Sequence, residues 1–148
     1  MPTSPAIRLA ELNDSQNLAE LCGELGYPTR LEDAARRLKD ILVNPVNEAL
    51  LAAVVEDQVV GWVHVLRVNF LGSEAFAEIG GLVVHPAYRG RGVGKALMSA
   101  AEDWAHRAGL SAVKLRSNTL RTEAHIFYEN LGYQRIKSQF TFHKDLKA

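Results

Sequence analysis

A single cysteine, Cys22, in 148 residues leaves no partner for an intrachain disulfide and argues against a thiolate-rich metal site. It falls at an apolar position of an expected helix, and a reducing cytosol is the compartment that fits. Neither sign of charge is in excess: seventeen Lys and Arg balance seventeen Asp and Glu, so no overall field holds the chain against nucleic acid or an anionic membrane. No apolar run approaches the roughly 18 residues of a membrane span. The opening MPTSPAIRLAELND has no basic segment followed by an apolar stretch and cleavage site. Repeats, low-complexity tracts and interdomain linkers are also missing. At 47% hydrophobic residues, what is present suits one compact domain over residues 1–148, sharing one core between fold and function. The expectation is a cytoplasmic protein with no metal, nucleic-acid or membrane partner.

Residues 5–10 read as a short strand. Asn13, Asp14 and Ser15 then offer N-caps to a helix with Leu18, Leu21, Cys22 and Leu25 at i, i+3, i+4, i+7, ended by Gly26. Pro28 and the box-like Thr29 to Glu32 open a second helix with a stripe of Leu31, Ala35, Leu38 and Leu42. The pattern then becomes extended. Residues 49–55 and 59–68 are apolar and β-branched around a turn at 56–58, which predicts a hairpin. A further strand over 76–84 contains Gly80-Gly81, a pair that marks a bulge or the close approach of another group. After it come a helix carrying Val93, Leu97, Ala101 and Trp104, a strand around Val113 and Leu115, a helix over 123–131 and a last strand over 136–142. This order gives a mixed sheet with helices on its faces, in the α/β or α+β class.

The most informative segment joins strand to helix through Arg89-Gly90-Arg91-Gly92-Val93-Gly94-Lys95. Backbone N–H groups at the start of a helix lie at the positive end of its dipole. Glycines let that backbone close around phosphate oxygens, while Arg89, Arg91 and Lys95 add charge. A dinucleotide fingerprint begun at Gly90 fails because Lys95 stands where glycine is needed. A Walker loop ending at Lys95 fails at Arg89 and Ala96. What matches is Arg-x-x-Gly-x-Gly at 89, 92 and 94. With the element order, and with Ala124-His125-Ile126-Phe127-Tyr128-Glu129-Asn130-Leu131-Gly132-Tyr133, the chain resembles the GNAT family of N-acetyltransferases over nearly its whole length.

That resemblance implies a mostly antiparallel central sheet of six to seven strands, flanked by about four helices and splayed between the fourth and fifth strands. It implies acetyl-CoA as cosubstrate. The pyrophosphate would sit on Arg89, Gly90, Arg91, Gly92, Val93, Gly94 and Lys95, and the pantetheine arm along Leu82, Val83 and Val84. Many members have asparagine where this chain has Arg121, and Asn118 is the substitute cofactor contact. The family also allows a homodimer.

Acetyl transfer to an amine needs a neutral nucleophile, a polarised carbonyl and a stabilised thiolate. An alkylammonium has a pKa of about 10 and a carboxylate about 4, so a glutamate base must be shifted by burial or work through water. Glu78 is the candidate: it lies in an apolar strand eleven residues before Arg89, the spacing of the base in histone-acetylating relatives. A surface residue or a substrate-binding carboxylate is the alternative. Amides freed by the bulge, that of Leu82 by resemblance, would polarise the carbonyl. Tyr128, by resemblance, would assist the leaving sulfur; otherwise it is a core tyrosine. Tyr27, Trp62 and His64 are candidate substrate contacts, with Glu24 and Phe70 further out, and Trp62 and His64 share one strand face. A small-molecule amine is the preferred acceptor. A protein lysine or N-terminus, or a noncatalytic acyl-CoA sensor, are the alternatives.

Overall fold

The computed structural model describes residues 4–147. They form two compact units that meet at the Leu115/Arg116 boundary.

The first unit contains β1 (Ala6–Leu9), α1 (Ser15–Glu24), α2 (Leu31–Leu42), β2 (Glu48–Val55), β3 (Gln58–Val68), β4 (Phe76–Val84), α3 (Val93–Arg107) and β5 (Val113–Leu115). Its strands are ordered β1-β2-β3-β4-β5, antiparallel except for the last pair. Glu56 and Asp57, at φ 50° and 65°, make the two-residue β2–β3 turn, whose left-handed residues match the twist of the hairpin.

The sheet is covered on both faces, so β2 and β3 are apolar in near-continuous runs. One face carries Leu50, Ala52, Trp62 and Val83 against Leu18 and Leu21 of α1 and Leu38 of α2. Each buried leucine contributes on the order of 1.5–3 kcal/mol. On the other face α3 lays Leu97, fully buried, beside Gly61; a Cβ there would stand 2.8 Å from Val83 O and 3.2 Å from Leu97 Cδ1.

Three local expectations are corrected. Asp14 is the N-cap residue of α1 but makes no side-chain cap bond: its carboxylate accepts from Arg8 Nη1 and Nη2 at 2.7 and 3.0 Å and from Glu11 N at 2.7 Å, tying β1 to the helix start. Thr29 does not cap α2; its hydroxyl donates instead to Tyr27 O at 2.7 Å. The buried positions of α2 are Ala34 and Leu38, while Leu31 and Leu42 are exposed. At 100° per residue the apolar arc of this helix is wide, and only packing decides which edge of it turns inward.

The second unit holds α4 (Thr122–Asn130) and residues 131–147. The strand expected over 136–142 is absent: residues 133–147 carry no regular secondary structure, and Ile136, Phe140 and Phe142 are exposed. The sheet of the described residues therefore has five strands, not six or seven. An alternating pattern qualifies a segment for a strand, but a strand exists only where a neighbouring edge completes its hydrogen bonds. No described helix is long and apolar enough to cross a membrane.

Candidate active site

The loop after β4 leads through a single turn of 3-10 helix (Pro86–Tyr88) into α3. His85 Nδ1 accepts from Ala87 N at 3.1 Å and fixes that turn. Gly90 and Gly92 adopt φ of 76° and 81°, and a Cβ at either would meet nothing within 4 Å. Their requirement is conformational, because the left-handed region is costly for other residues. Gly92 is the N-cap of α3 and brings no capping side chain. The first helical bond runs from Ala96 N to Gly92 O at 3.0 Å, which leaves the amides of Val93, Gly94 and Lys95 without helical acceptors. Arg91 lies 5.4 Å over the Tyr88 ring, and Arg89 donates to Val84 O through Nε at 3.2 Å. Arg89, Arg91 and Lys95 form no ion pair among the described residues. Uncapped amides, a helix dipole and three cations fit a diphosphate.

Along the preceding strand, β5 pairs with β4 only from Ala77 to Ile79, whereas β3 stays paired to β4 as far as Val84. Among the described residues no strand pairs with the β5-facing edge of β4 from Gly80 onward. His85 N donates to Val60 O at 2.7 Å and sets the phase of the β3–β4 ladder. By antiparallel alternation, Gly81 and Val83 bond to β3, while Leu82 and Val84 turn their polar groups to the open edge. The side chain of Val83 is buried in the core cluster and its backbone groups face β3, so it offers no polar group along this edge. Leu82 and Val84 are half-buried.

The β3–β4 register slips between His64 and Val65, leaving Gly80 as the extra residue of a bulge, as the glycine pair predicts. On the α1/α2 face of the sheet, Trp62, His64 and Leu66 lie across from Ala52, Leu50 and Glu48 of β2, with Glu78 opposite Leu66 on β4. His64 Nε2 is 2.8 Å from Glu48 Oε1, with both side chains about three-quarters buried at 24% and 22% exposure. Asn44 Nδ2 donates to Glu48 Oε2 at 3.2 Å. A Cβ on Gly80 would lie 3.1 Å from His64 Nδ1; one on Gly81 would lie 2.9 Å from Cη2 and Cζ3 of Trp62. Trp62 is 9% exposed, and its Nε1 is buried without an acceptor.

The model of the Acetyltransferase (GNAT) family matches residues 12–133. This chain belongs to that family. An aminoglycoside N(6')-acetyltransferase type 1 from Stenotrophomonas maltophilia is 26% identical over 98% of the chain and 96% of its own length. An aminoalkylphosphonate N-acetyltransferase from Salmonella typhimurium is 37% identical, over 53% of the chain and 47% of its own length. Among solved structures, AAC(6')-Iy in complex with the bisubstrate analogue CoA-S-monomethyl-acetylneamine superposes with a TM-score of 0.85, at 19% identity, over 97% of the chain and 100% of that one, a likeness of fold.

In this GNAT acetyltransferase the expected residues fall into three groups. The loop residues 89–95 and the edge residues 82–84 follow one another along the first unit, and Trp62, His64 and Glu78 share one sheet face. Trp62 lies at the floor of that face and not on its surface. Tyr27 is 70% exposed at the turn after α1, and Phe70, also exposed, makes an edge contact with Phe76 at 5.7 Å.

Tyr128 and Asn118 belong to the second unit. The Tyr128 ring meets Phe127 and Tyr133 edge-on at 5.1 and 6.0 Å. Burial holds its hydroxyl above the ordinary phenol value, against a smaller opposing pull from the Arg121 cation, so the group stays a proton donor. The Asn118 side-chain carbonyl accepts from Leu120 N at 2.9 Å, leaving only its amide nitrogen for a ligand. Glu48 and Asn44, which the sequence did not single out, are linked to the candidate residue His64. Glu48 stands at the mouth of a strand, where a carboxylate reads as solvent-facing, and its partner is sixteen residues away.

Proposed function

We propose that this acyltransferase moves the acetyl group of acetyl-CoA directly to a primary amine on a small molecule, with residues 1–148 acting as one catalytic domain. The observation that carries this reading is the uncapped start of α3, with Gly90 and Gly92 in left-handed conformation and three cations around it, directly after an open β4 edge. The amides of Val93 to Lys95, with Arg89 and Arg91, would hold the diphosphate. The edge groups of Leu82 and Val84 would pair with the amides of the pantetheine arm.

The Leu82 N–H, on that edge beside the bulge, would stabilise negative charge on the acetyl oxygen. Glu78 supplies a carboxylate on the bulged strand, to which an ammonium is drawn and through which its proton leaves, directly or by water. Tyr128, kept protonated by burial, is the proton donor to the departing sulfur. Relatives named for aminoglycoside and aminoalkylphosphonate acetylation support a small acceptor and differ in which one.

The test is thiol release from acetyl-CoA over a panel of aminoglycosides, aminoalkylphosphonates, simple alkylamines and peptides. Turnover with at least one small amine, above that with any peptide, is expected. Turnover confined to peptides would overturn the small-molecule assignment, and absence of coenzyme binding by calorimetry would overturn the donor.

A further inference from the structure

We propose that His64, oriented by Glu48, is the final acceptor of the proton lost by the substrate amine, and that Nδ1 is the accepting atom. The inference rests on the amine-acetylation reading above and identifies where the proton goes.

An ionised carboxylate only accepts hydrogen bonds, so the 2.8 Å contact with Glu48 Oε1 places the hydrogen of the neutral imidazole on Nε2. The lone pair is then on Nδ1. Glu48 is not a loose side chain. Its second oxygen accepts from Asn44 Nδ2 at 3.2 Å, and Asn44 Oδ1 accepts from Asn47 Nδ2 at 3.1 Å, so a chain of side chains behind the histidine fixes its ring. A base held by a third group is the arrangement that proton-transfer sites use to lock tautomer and direction.

Nδ1 lies close to the bulge. Nδ1 makes no hydrogen bond among the described residues, and it stands 3.1 Å from where a Cβ of residue 80 would be. Only a glycine leaves that approach open. Residue 80 is the extra residue of β4 and lies two positions before Leu82, whose amide faces the open edge. Glu78, on the same face of the same strand, draws the cation in, and the proton that leaves through it, directly or by water, passes on to the imidazole. A purely structural histidine–glutamate pair has no need of a glycine beside its unused nitrogen.

The acceptor arrives as an ammonium; one N–H bond breaks, its proton moves to Nδ1, and the electron pair stays on nitrogen. The neutral amine attacks the acetyl carbon, forming the C–N bond. The C–S bond then breaks as the Tyr128 hydroxyl protonates the sulfur to the thiol, and the second proton from nitrogen restores the phenol. The imidazolium, still hydrogen-bonded to Glu48, returns its proton to water. One ammonium and one thioester thus become an amide, a thiol and a released proton.

His64→Gln keeps a donor toward Glu48 and removes the basic lone pair. Its kcat should fall by roughly 100-fold or more, the lower end of general-base effects, with amine KM and calorimetric acetyl-CoA affinity within about twofold. Free imidazole should restore part of the activity of His64→Gly. Glu48→Gln should lower kcat about tenfold, as loss of a positioning residue. Independently of turnover, the 15N spectrum of the resting protein should show His64 with its hydrogen on Nε2, and Glu48→Gln should mix the tautomers. A hydrogen on Nδ1 in the parent, or parental kcat in a folded His64→Gln, overturns the inference while leaving acetyl transfer in place. A parent that releases no thiol with any amine overturns the reading beneath it as well.

Discussion

Alanine substitution at each of the two adjacent bulge glycines separates the stability of this face from its chemistry. Neither Gly80 nor Gly81 has a positive φ, so alanine is permitted by the backbone and only its methyl group matters. At residue 81 that methyl would sit 2.9 Å from two ring carbons of Trp62, whose indole is 9% exposed and packed among core residues. The ring must move by several tenths of an ångström in a close-packed environment, an overpacking cost of about 1–3 kcal/mol. In a chain of 148 residues this corresponds to a Tm loss of roughly 4–10 °C. At residue 80 the methyl would lie 3.1 Å from His64 Nδ1 and 3.2 Å from Leu66 Cδ2, a flexible side-chain end. Gly80→Ala should therefore cost less than about 1 kcal/mol but cover the imidazole lone pair. Urea and thermal unfolding, run beside steady-state kinetics, should find Gly81→Ala clearly destabilised. Gly80→Ala should be near parental in stability with kcat at least tenfold lower. Equal unfolding midpoints for the two variants would refute the packing argument, and parental kcat in Gly80→Ala would refute the role of the open lone pair.

The other expectations concern separate parts of the chain. Gly92→Val places a β-branched residue at φ 81°, at a cost of about 1–2 kcal/mol, and should weaken acetyl-CoA by at least tenfold in calorimetry; an unchanged Kd would remove the diphosphate cradle. Tyr128→Phe should lower kcat with little change in coenzyme affinity, and equal turnover would end its role as acid. Because burial raises the phenol, the folded state binds that proton more tightly than the unfolded chain does. Its stabilising contribution is present below the unfolded value near 10 and is lost as pH rises through the folded one; in a 295 nm titration Tyr128→Phe should delete a late-ionising component. Asp14 is opposite in sign. Its hydrogen bonds from Arg8, and then from Glu11 N, hold its carboxyl below the usual range, so its contribution exists above about pH 4 and fades as pH falls through the folded value. Asp14→Asn should lose about 1–3 kcal/mol at neutral pH, discounted because Arg8 is partly exposed, and the gap to the parent should close in acid.

Most of the first unit was legible in the sequence because its signals are local. The β2–β3 hairpin, the span of β4, the bulge at Gly80-Gly81 and the glycine loop into α3 each depend on residue types within a few positions, where backbone conformation and strand periodicity are decided. The reading of Arg89, Gly90 and Gly92 as an anion site rests on the same local ground, and the left-handed glycines and the uncapped helix start fit it. The last strand could not be settled this way: Ile136, Phe140 and Phe142 satisfy a pattern, but strand pairing needs an edge that the pattern does not contain. Nor could the pattern show that Trp62 is the floor of its face, or that Ala34 rather than Ala35 turns inward on α2. The Glu48–His64 pair depended on the tertiary structure altogether. Its members are neighbours only because a two-residue turn and a one-residue slip at Ala53/Val54 together set the β2–β3 register, and a one-residue slip in β4 leaves space beside the ring. Register is a property of two strands together, and side-chain direction alternates with it, so a single residue of slip decides which groups meet.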